Sequence, residues 1–114
     1  MKQGDIVLIN FPFNDFKNFK IRPALVISNN KLNKSGNLWL IAISTQKSGQ
    51  LKNIVLSQNS LQEGILYKSS YIRFANIFST DKVSILKCVA KLTKSELLKI
   101  IQHVNGYLTI NNDR

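Results

Sequence analysis

Cysteine is nearly absent from this sequence: its 114 residues hold one, Cys88. A lone cysteine cannot close an internal disulfide, so stapling is excluded as a source of stability and a reducing compartment is expected. Histidine is equally scarce, with His103 alone. Without a Cys/His cluster no zinc site of the usual kind can be built, and neither a metal nor another cofactor is expected. His103 also lacks a companion carboxylate or cysteine at useful spacing, so a Ser/His/Asp triad is not supported and a helix-surface or partly buried role is expected. Long apolar runs are missing. No window approaches the roughly 20 residues of a membrane-spanning helix, and the N-terminal MKQGDIVLINF is too short in its apolar run for a signal peptide. A soluble cytoplasmic protein is the expectation.

Acidic residues are few as well. Six Asp and Glu face sixteen Lys and Arg, a net charge of +10. That excess points to a nucleic acid, a phosphate-rich surface or an acidic protein as partner. A compositional bias toward Lys, Asn and Ile raises the lysine count but does not explain the shortage of acids. At this length a single domain, residues 1–114, is expected, and 44% apolar residues suffice for one small core. The chain carries no internal repeat, linker or low-complexity segment.

What is present reads mostly as short strands. Ile6 to Phe11 is a run of apolar β-formers, ended by Pro12. Residues 13–21 read as a polar loop spotted with aromatics, and 24–28 (ALVIS) as a second buried strand. The segment 29–37 reads as a connector. In 38–44 (LWLIAIS), alternation places Trp39, Ile41 and Ile43 on one face and Leu40, Ala42 and Ser44 on the other. Residues 53–57 suggest a fourth strand. In YKSSYIRFANIF, Tyr71 and Arg73 share one face of a further strand, Ile72 and Phe74 the other. Residues 84–92 suggest the last strand, with Cys88 as a buried small hydrophobe. Thr93-Lys94-Ser95-Glu96 is a capping box, followed by Leu97, Leu98, Ile100, Ile101 and Val104 at helical spacing, with Gly106 suited to the C′ position. Five or six short strands and a C-terminal helix predict a mainly β fold, a small antiparallel barrel.

Three basic segments stand out: Lys17, Lys20 and Arg22; Lys47 and Lys52; and Arg73. Phe13, Phe16, Phe19 and Tyr71 lie among them. Bases stack on aromatics while Lys and Arg pair with phosphates, which is the usual surface for single-stranded nucleic acid. Arg22 suits a phosphate clamp, because a guanidinium grips phosphate bidentately and stabilises charge that develops on it. Pro23 holds the Arg22 backbone extended. A surface ion pair with Asp5 or Asp15 would also account for Arg22. Ser44 ends the strand 38–44 and Thr45 follows; either hydroxyl could bond a phosphate oxygen, and capping the strand end is the commoner use.

Three segments in this order, GDIVLINFPFNDFKNFKIRPALVIS, LIAIST and YIRFANIFSTDK, resemble the MazF/PemK family of toxins from bacterial toxin–antitoxin systems, and the likeness runs from about Gly4 to Val104. The resemblance implies an SH3-like antiparallel barrel with a C-terminal helix, usually a homodimer. It implies a metal-independent endoribonuclease that cuts single-stranded RNA at short sequences. There the 2′-hydroxyl attacks the adjacent phosphorus, leaving a 2′,3′-cyclic phosphate and a 5′-hydroxyl. It also implies an acidic cognate antitoxin whose disordered tail covers the RNA groove. Carried over by position, Arg22 falls on the family's catalytic arginine and Ser44 on its catalytic hydroxyl, with Thr45 in reserve. Arg73 matches an arginine of the PemK-like branch. Phe13, Asn14, Lys17, Lys20, Lys47 and Arg73 are the candidates for lining the RNA path. The branch's acidic residue two positions past that arginine is Ala75 here, which leaves the general acid and base open among Asp15, Asp81 and water. The alternative is a non-catalytic toxin or binding module of the same fold, such as a DNA gyrase poison or an RNA- or antitoxin-binding protein.

Overall fold

The computed structural model describes residues 1–12, 19–47, 49 and 51–113. Its elements are β1 (Asp5–Pro12), β2 (Phe19–Val26), a one-turn α1 (Asn30–Asn33), β3 (Asn37–Ser44), β4 (Val55–Leu56), β5 (Leu61–Gly64), β6 (Ser70–Asp81), β7 (Ile85–Leu92) and α2 (Lys94–Gly106). The strands form one antiparallel sheet in the order β4-β6-β3-β2-β1-β7-β5. β6 and β7 stand four strands apart in that order, yet only the 3₁₀ turn Lys82–Ser84 joins them. Three residues span at most about 10 Å. The sheet must therefore curl until those two strand ends meet, giving a half-closed barrel.

The curl gives the sheet two apolar faces, and alternation assigns each residue to one of them. Val7, Ile9, Ala24, Val26, Leu38 and Leu40 point inward, closed over by Phe11, Phe78 and Ile85. Ile6, Leu25, Ile27, Ile41, Ile43, Leu56, Ile72 and Phe74 point to the other side, where Ile100 and Val104 of α2 pack on them. Both faces are covered, which is why consecutive residues of β3 from Leu40 to Ile43 are all buried. Trp39 stands 51% exposed on the second face, beyond the reach of this cluster.

The expected strands and the C-terminal helix are present, with informative differences. β2 starts at Phe19, so the last third of the expected 13–21 loop is strand. The expected 53–57 strand shrinks to Val55–Leu56, and an unanticipated edge strand, β5, pairs with β7. Gly64 makes that pairing possible: it has φ +91°, and a Cβ there would collide with the Val89 carbonyl oxygen and Ala90. The 29–37 connector holds α1, where Asn33 is buried and satisfied. Its Nδ2 donates to the Ser28 carbonyl (3.0 Å), and its Oδ1 accepts from the Ser28 hydroxyl (2.5 Å).

At α2 only half of the capping box forms. The Glu96 amide donates to Thr93 Oγ1 at 3.3 Å, but the Thr93 amide is already bonded to the Ser60 carbonyl, and Glu96 turns to Lys99 instead. Gly106 is the last helical residue rather than the left-handed C′ residue, and Tyr107 is the cap, in right-handed conformation. Cys88 corrects the expectation of a buried thiol: it is exposed. It lies opposite Val7 in the β1–β7 ladder, but β5 pairs with β7 only from Ala90 to Leu92, so Cys88 has a neighbouring strand on one side alone and its apolar run does not secure burial. Among the described residues no helix is long and apolar enough to cross a membrane.

Candidate functional site

The ladder between β2 and β3 is short. It pairs Val26 with Leu40, Leu25 with Ile41 and Ala24 with Ala42, and stops there. The next residue of β2 is Pro23, which has no N–H to continue a ladder. Residues 19–23 remain paired with β1 alone, through Pro12–Phe19 to Leu8–Pro23, while β3 runs on to Ser44 beside β6. A cleft opens between the two strands, with the small residue Ala42 in its lining.

Register decides what faces that cleft. Residues opposite one another in an antiparallel pair point to the same side. Arg22 lies two residues before Ala24 and Ser44 two after Ala42, so both share the alanines' face. Ala42 pairs with Arg73 and Ser44 with Tyr71, which adds these two from β6. Lys20 joins from its place opposite Phe11. The resulting groove measures about 710 Å³ and is lined by Phe11, Lys20, Arg22, Ala42, Ile43, Ser44, Thr45, Gln46, Arg73, Ala75 and Asn76.

A break in β6 completes it. Ala42 pairs with Arg73, but the neighbouring Ile41 pairs with Ile77, so three residues, 74–76, bulge out of the ladder. The bulge pushes Ala75 and Asn76 to the groove wall. It also reverses the strand's phase, so that Arg73 and Phe78 share a face although an even number of residues, 74–77, lies between them. Bulges commonly re-aim side chains beside functional sites in this way.

The electrostatics are one-sided. Lys20, Arg22 and Arg73 contribute three cations, and the described lining includes no carboxylate or imidazole. Ser44 Oγ accepts from the Gln46 amide at 3.1 Å and, at the long limit of 3.5 Å, from Arg73 Nη2. With both acceptor sites engaged, its own proton is left to donate outward, the polarity an anionic oxygen requires. Lys47 Nζ stands 5.9 Å from the centre of the Tyr71 ring, next to Ser44's pairing partner.

Of the residues picked out in the sequence, Lys20, Arg22, Ser44, Thr45 and Arg73 come together in this groove, and Lys47 lies beside it. Phe13, Asn14, Asp15, Phe16 and Lys17 fall outside the described residues. Asp81 is removed as a proton carrier: it pairs with Asn37 at the far end of β3, seven residues and about 23 Å from Ser44. Asp5 is likewise at the wrong end of β1, four residues from Ile9, the partner of Arg22. His103 is half-buried with its ring against Phe74, centres 5.6 Å apart, as a packing residue. Phe11, Gln46 and Asn76 went unnoticed in the sequence. A signal existed for Asn76: the apolar period of Ile72 and Phe74 slips by one at Ala75-Asn76 before Ile77-Phe78.

The model of the family described as "PemK-like, MazF-like toxin of type II toxin-antitoxin system" matches residues 2–108. The chain belongs to this family. Solved structures agree on the fold. A MazE–MazF complex from Deinococcus radiodurans superposes with a TM-score of 0.76 at 18% identity, covering 97% of this chain and 98% of that one. An endoribonuclease in complex with its cognate antitoxin, from a mycobacterial species, gives 0.75 at 14% identity, with 97% of each chain covered. Mycobacterium tuberculosis toxin MazF-mt6 gives 0.70 at 13% identity, covering 94% and 98%. No curated protein sequence matches significantly. The half-closed barrel with its C-terminal helix is thus the SH3-like fold of MazF/PemK toxins.

Proposed function

We propose that this member of the MazF/PemK-like toxins is a metal-independent, sequence-specific endoribonuclease acting on single-stranded RNA, with the groove around Arg22 as its active site. The observation that carries the reading is the convergence of Arg22, Arg73, Lys20 and Ser44 on one face at the end of the β2–β3 ladder. A phosphodiester laid there meets cations on two sides and a hydroxyl donor on the third. The 2′-oxygen of the RNA attacks the adjacent phosphorus, and the bond to the 5′-oxygen breaks, leaving a 2′,3′-cyclic phosphate and a 5′-hydroxyl. The substrate supplies the nucleophile. The protein's task is to hold the phosphate in line and stabilise the charge that builds on its oxygens, which positioned arginines do best in a water-poor cleft. Arg22 is the principal clamp, Ser44 donates to a non-bridging oxygen, Thr45 is the second hydroxyl at the rim, and Arg73 holds Ser44 and the anion together. Lys47, with Phe13, Asn14 and Lys17 of the preceding loop, extends the RNA path.

The natural inhibitor is an acidic antitoxin, complementary to a +10 chain, and the working unit is a cytoplasmic homodimer. Relatives of this fold have been solved with MazE and with a cognate antitoxin.

Ala75 and the lack of a carboxylate among the described lining residues favour a second reading, in which the groove binds RNA, an antitoxin or a protein target such as DNA gyrase without cutting. One experiment separates the two: purified protein with a long single-stranded RNA in EDTA, beside Arg22→Ala, with both new ends mapped. Cuts at one short motif with cyclic-phosphate ends, lost in the variant, establish the nuclease. Intact RNA from folded wild-type protein transfers the assignment to the binding module.

A further inference from the structure

We propose that Asn76 reads a base next to the scissile phosphate, and that the base is adenine. The inference rests on the ribonuclease reading and names the specificity-determining group of that same groove. Asn76 reaches the groove wall only because residues 74–76 leave the β6 ladder, and it is exposed there beside Arg73. Its carboxamide has no hydrogen-bond partner among the described residues, so a donor and an acceptor are both available. Ala75, exposed next to it in the bulge, adds an apolar methyl to the groove wall.

The chemistry selects the base. Among the polar groups of the described lining, the cations and hydroxyls are taken up by phosphate oxygens in the proposed reaction, which leaves the carboxamides to meet a base edge. An amide oxygen beside an amide N–H₂ complements an edge presenting a donor next to an acceptor. Every unpaired base does so on its Watson–Crick edge, but adenine alone does so on its Hoogsteen edge as well, N6 with N7 beside N6 with N1, and it is the usual partner of Asn. Gln46 is the other carboxamide in the groove, but it follows the end of β3. Asn76 is bracketed by the Arg73–Ala42 and Ile77–Ile41 pairs. Rigid elements hold the tighter geometry that discrimination needs.

The test uses RNA randomised around the cut, sequenced from its 5′-hydroxyl ends, with wild type, Asn76→Ala and Gln46→Ala. Wild type should demand adenine at one position beside the cut. Asn76→Ala should lower cleavage of the preferred site about 10- to 100-fold and admit other bases at that position alone. Replacing that adenine by unsubstituted purine, which lacks the 6-amino group, should cost wild type a similar factor and Asn76→Ala nothing. An unchanged cutting pattern in Asn76→Ala overturns the inference and leaves the nuclease standing. So does a folded Asn76→Ala that cuts no sequence, because the residue would then serve the chemistry. Failure of wild type to cut any RNA overturns the ribonuclease reading beneath it.

Discussion

The two ends of β3 are built from one strand and do opposite things. From Asn37 to Ile41 its ladder with β6 runs unbroken, Asn37 to Asp81 through Ile41 to Ile77. There the barrel closes: Leu38 and Leu40 are fully buried, Gly36 turns with φ +96°, and the Lys82 amide bonds the Gly36 carbonyl at 3.0 Å. Buried polar groups at this end are satisfied, as the Ser28–Asn33 pair shows. From Ala42 to Ser44 the pattern fails on both sides. β2 drops its ladder at Pro23, and β6 slips by three residues. Half-buried arginines and exposed polar groups occupy the gap. Regular pairing maximises burial and hydrogen bonding, whereas a site needs backbone released from the ladder to aim polar groups at a ligand. The regular end holds the irregular one in place.

Separating stability from activity at the two ends tests this division. Leu40→Ala removes a fully buried side chain from the closed end and should cost about 2–5 kcal/mol of unfolding free energy, read from denaturant melts. The fraction that stays folded should cut RNA with wild-type products. Arg22→Ala should do the reverse. Stability should fall by only about 1 kcal/mol, the ordinary cost of a point substitution, while the cleavage barrier rises by about 2.7–4 kcal/mol, by analogy with deleting an oxyanion donor. A Leu40→Ala protein that is fully stable, or an Arg22→Ala protein that cuts normally, would break the comparison. Ser44→Ala should cost about 1.5–3 kcal/mol of the barrier, the worth of a hydrogen bond to a charged group, and Thr45→Ala less, because Thr45 lies past the strand's end. Equal single-turnover rates for Ser44→Ala and wild type would hand the role to Thr45.

The smallest effect is expected at Cys88, away from both ends. Partial burial first, and the nearby Asp5 charge second, push its thiol up from the ordinary value. Thiolate is the reactive form, so alkylation at neutral pH should be slower than for a free thiol despite its exposure. The rate should rise as pH passes above the ordinary thiol range. Fast labelling at pH 7 would show that the thiol is not held neutral.

Much of this was legible beforehand. Alternation gave Tyr71 and Arg73 one face and Ile72 and Phe74 the other, and the capping threonine marked the start of α2. Arg22 was legible because Pro23 is an unusual neighbour for a strand interior. β5 was not, because LQEG carries no apolar alternation; its pairing depends on the approach of Val89 and Ala90 to Gly64. Cys88 was misread because an apolar run does not show that β5 pairs with β7 only as far as Ala90, which leaves Cys88 with a neighbouring strand on one side.

By itself the sequence determined the class of the molecule: a small β domain with one helix, strongly basic, with an arginine fixed by proline at a strand. Those follow from local sterics, side-chain period and charge count, which need no partner strand. Only the tertiary structure decided that Lys20, Arg22, Ser44 and Arg73 meet, that Asp81 does not, and that Asn76 stands among them. Meeting depends on register, and register is fixed by which strands pair and where a bulge interrupts them, a property of two chain segments rather than one.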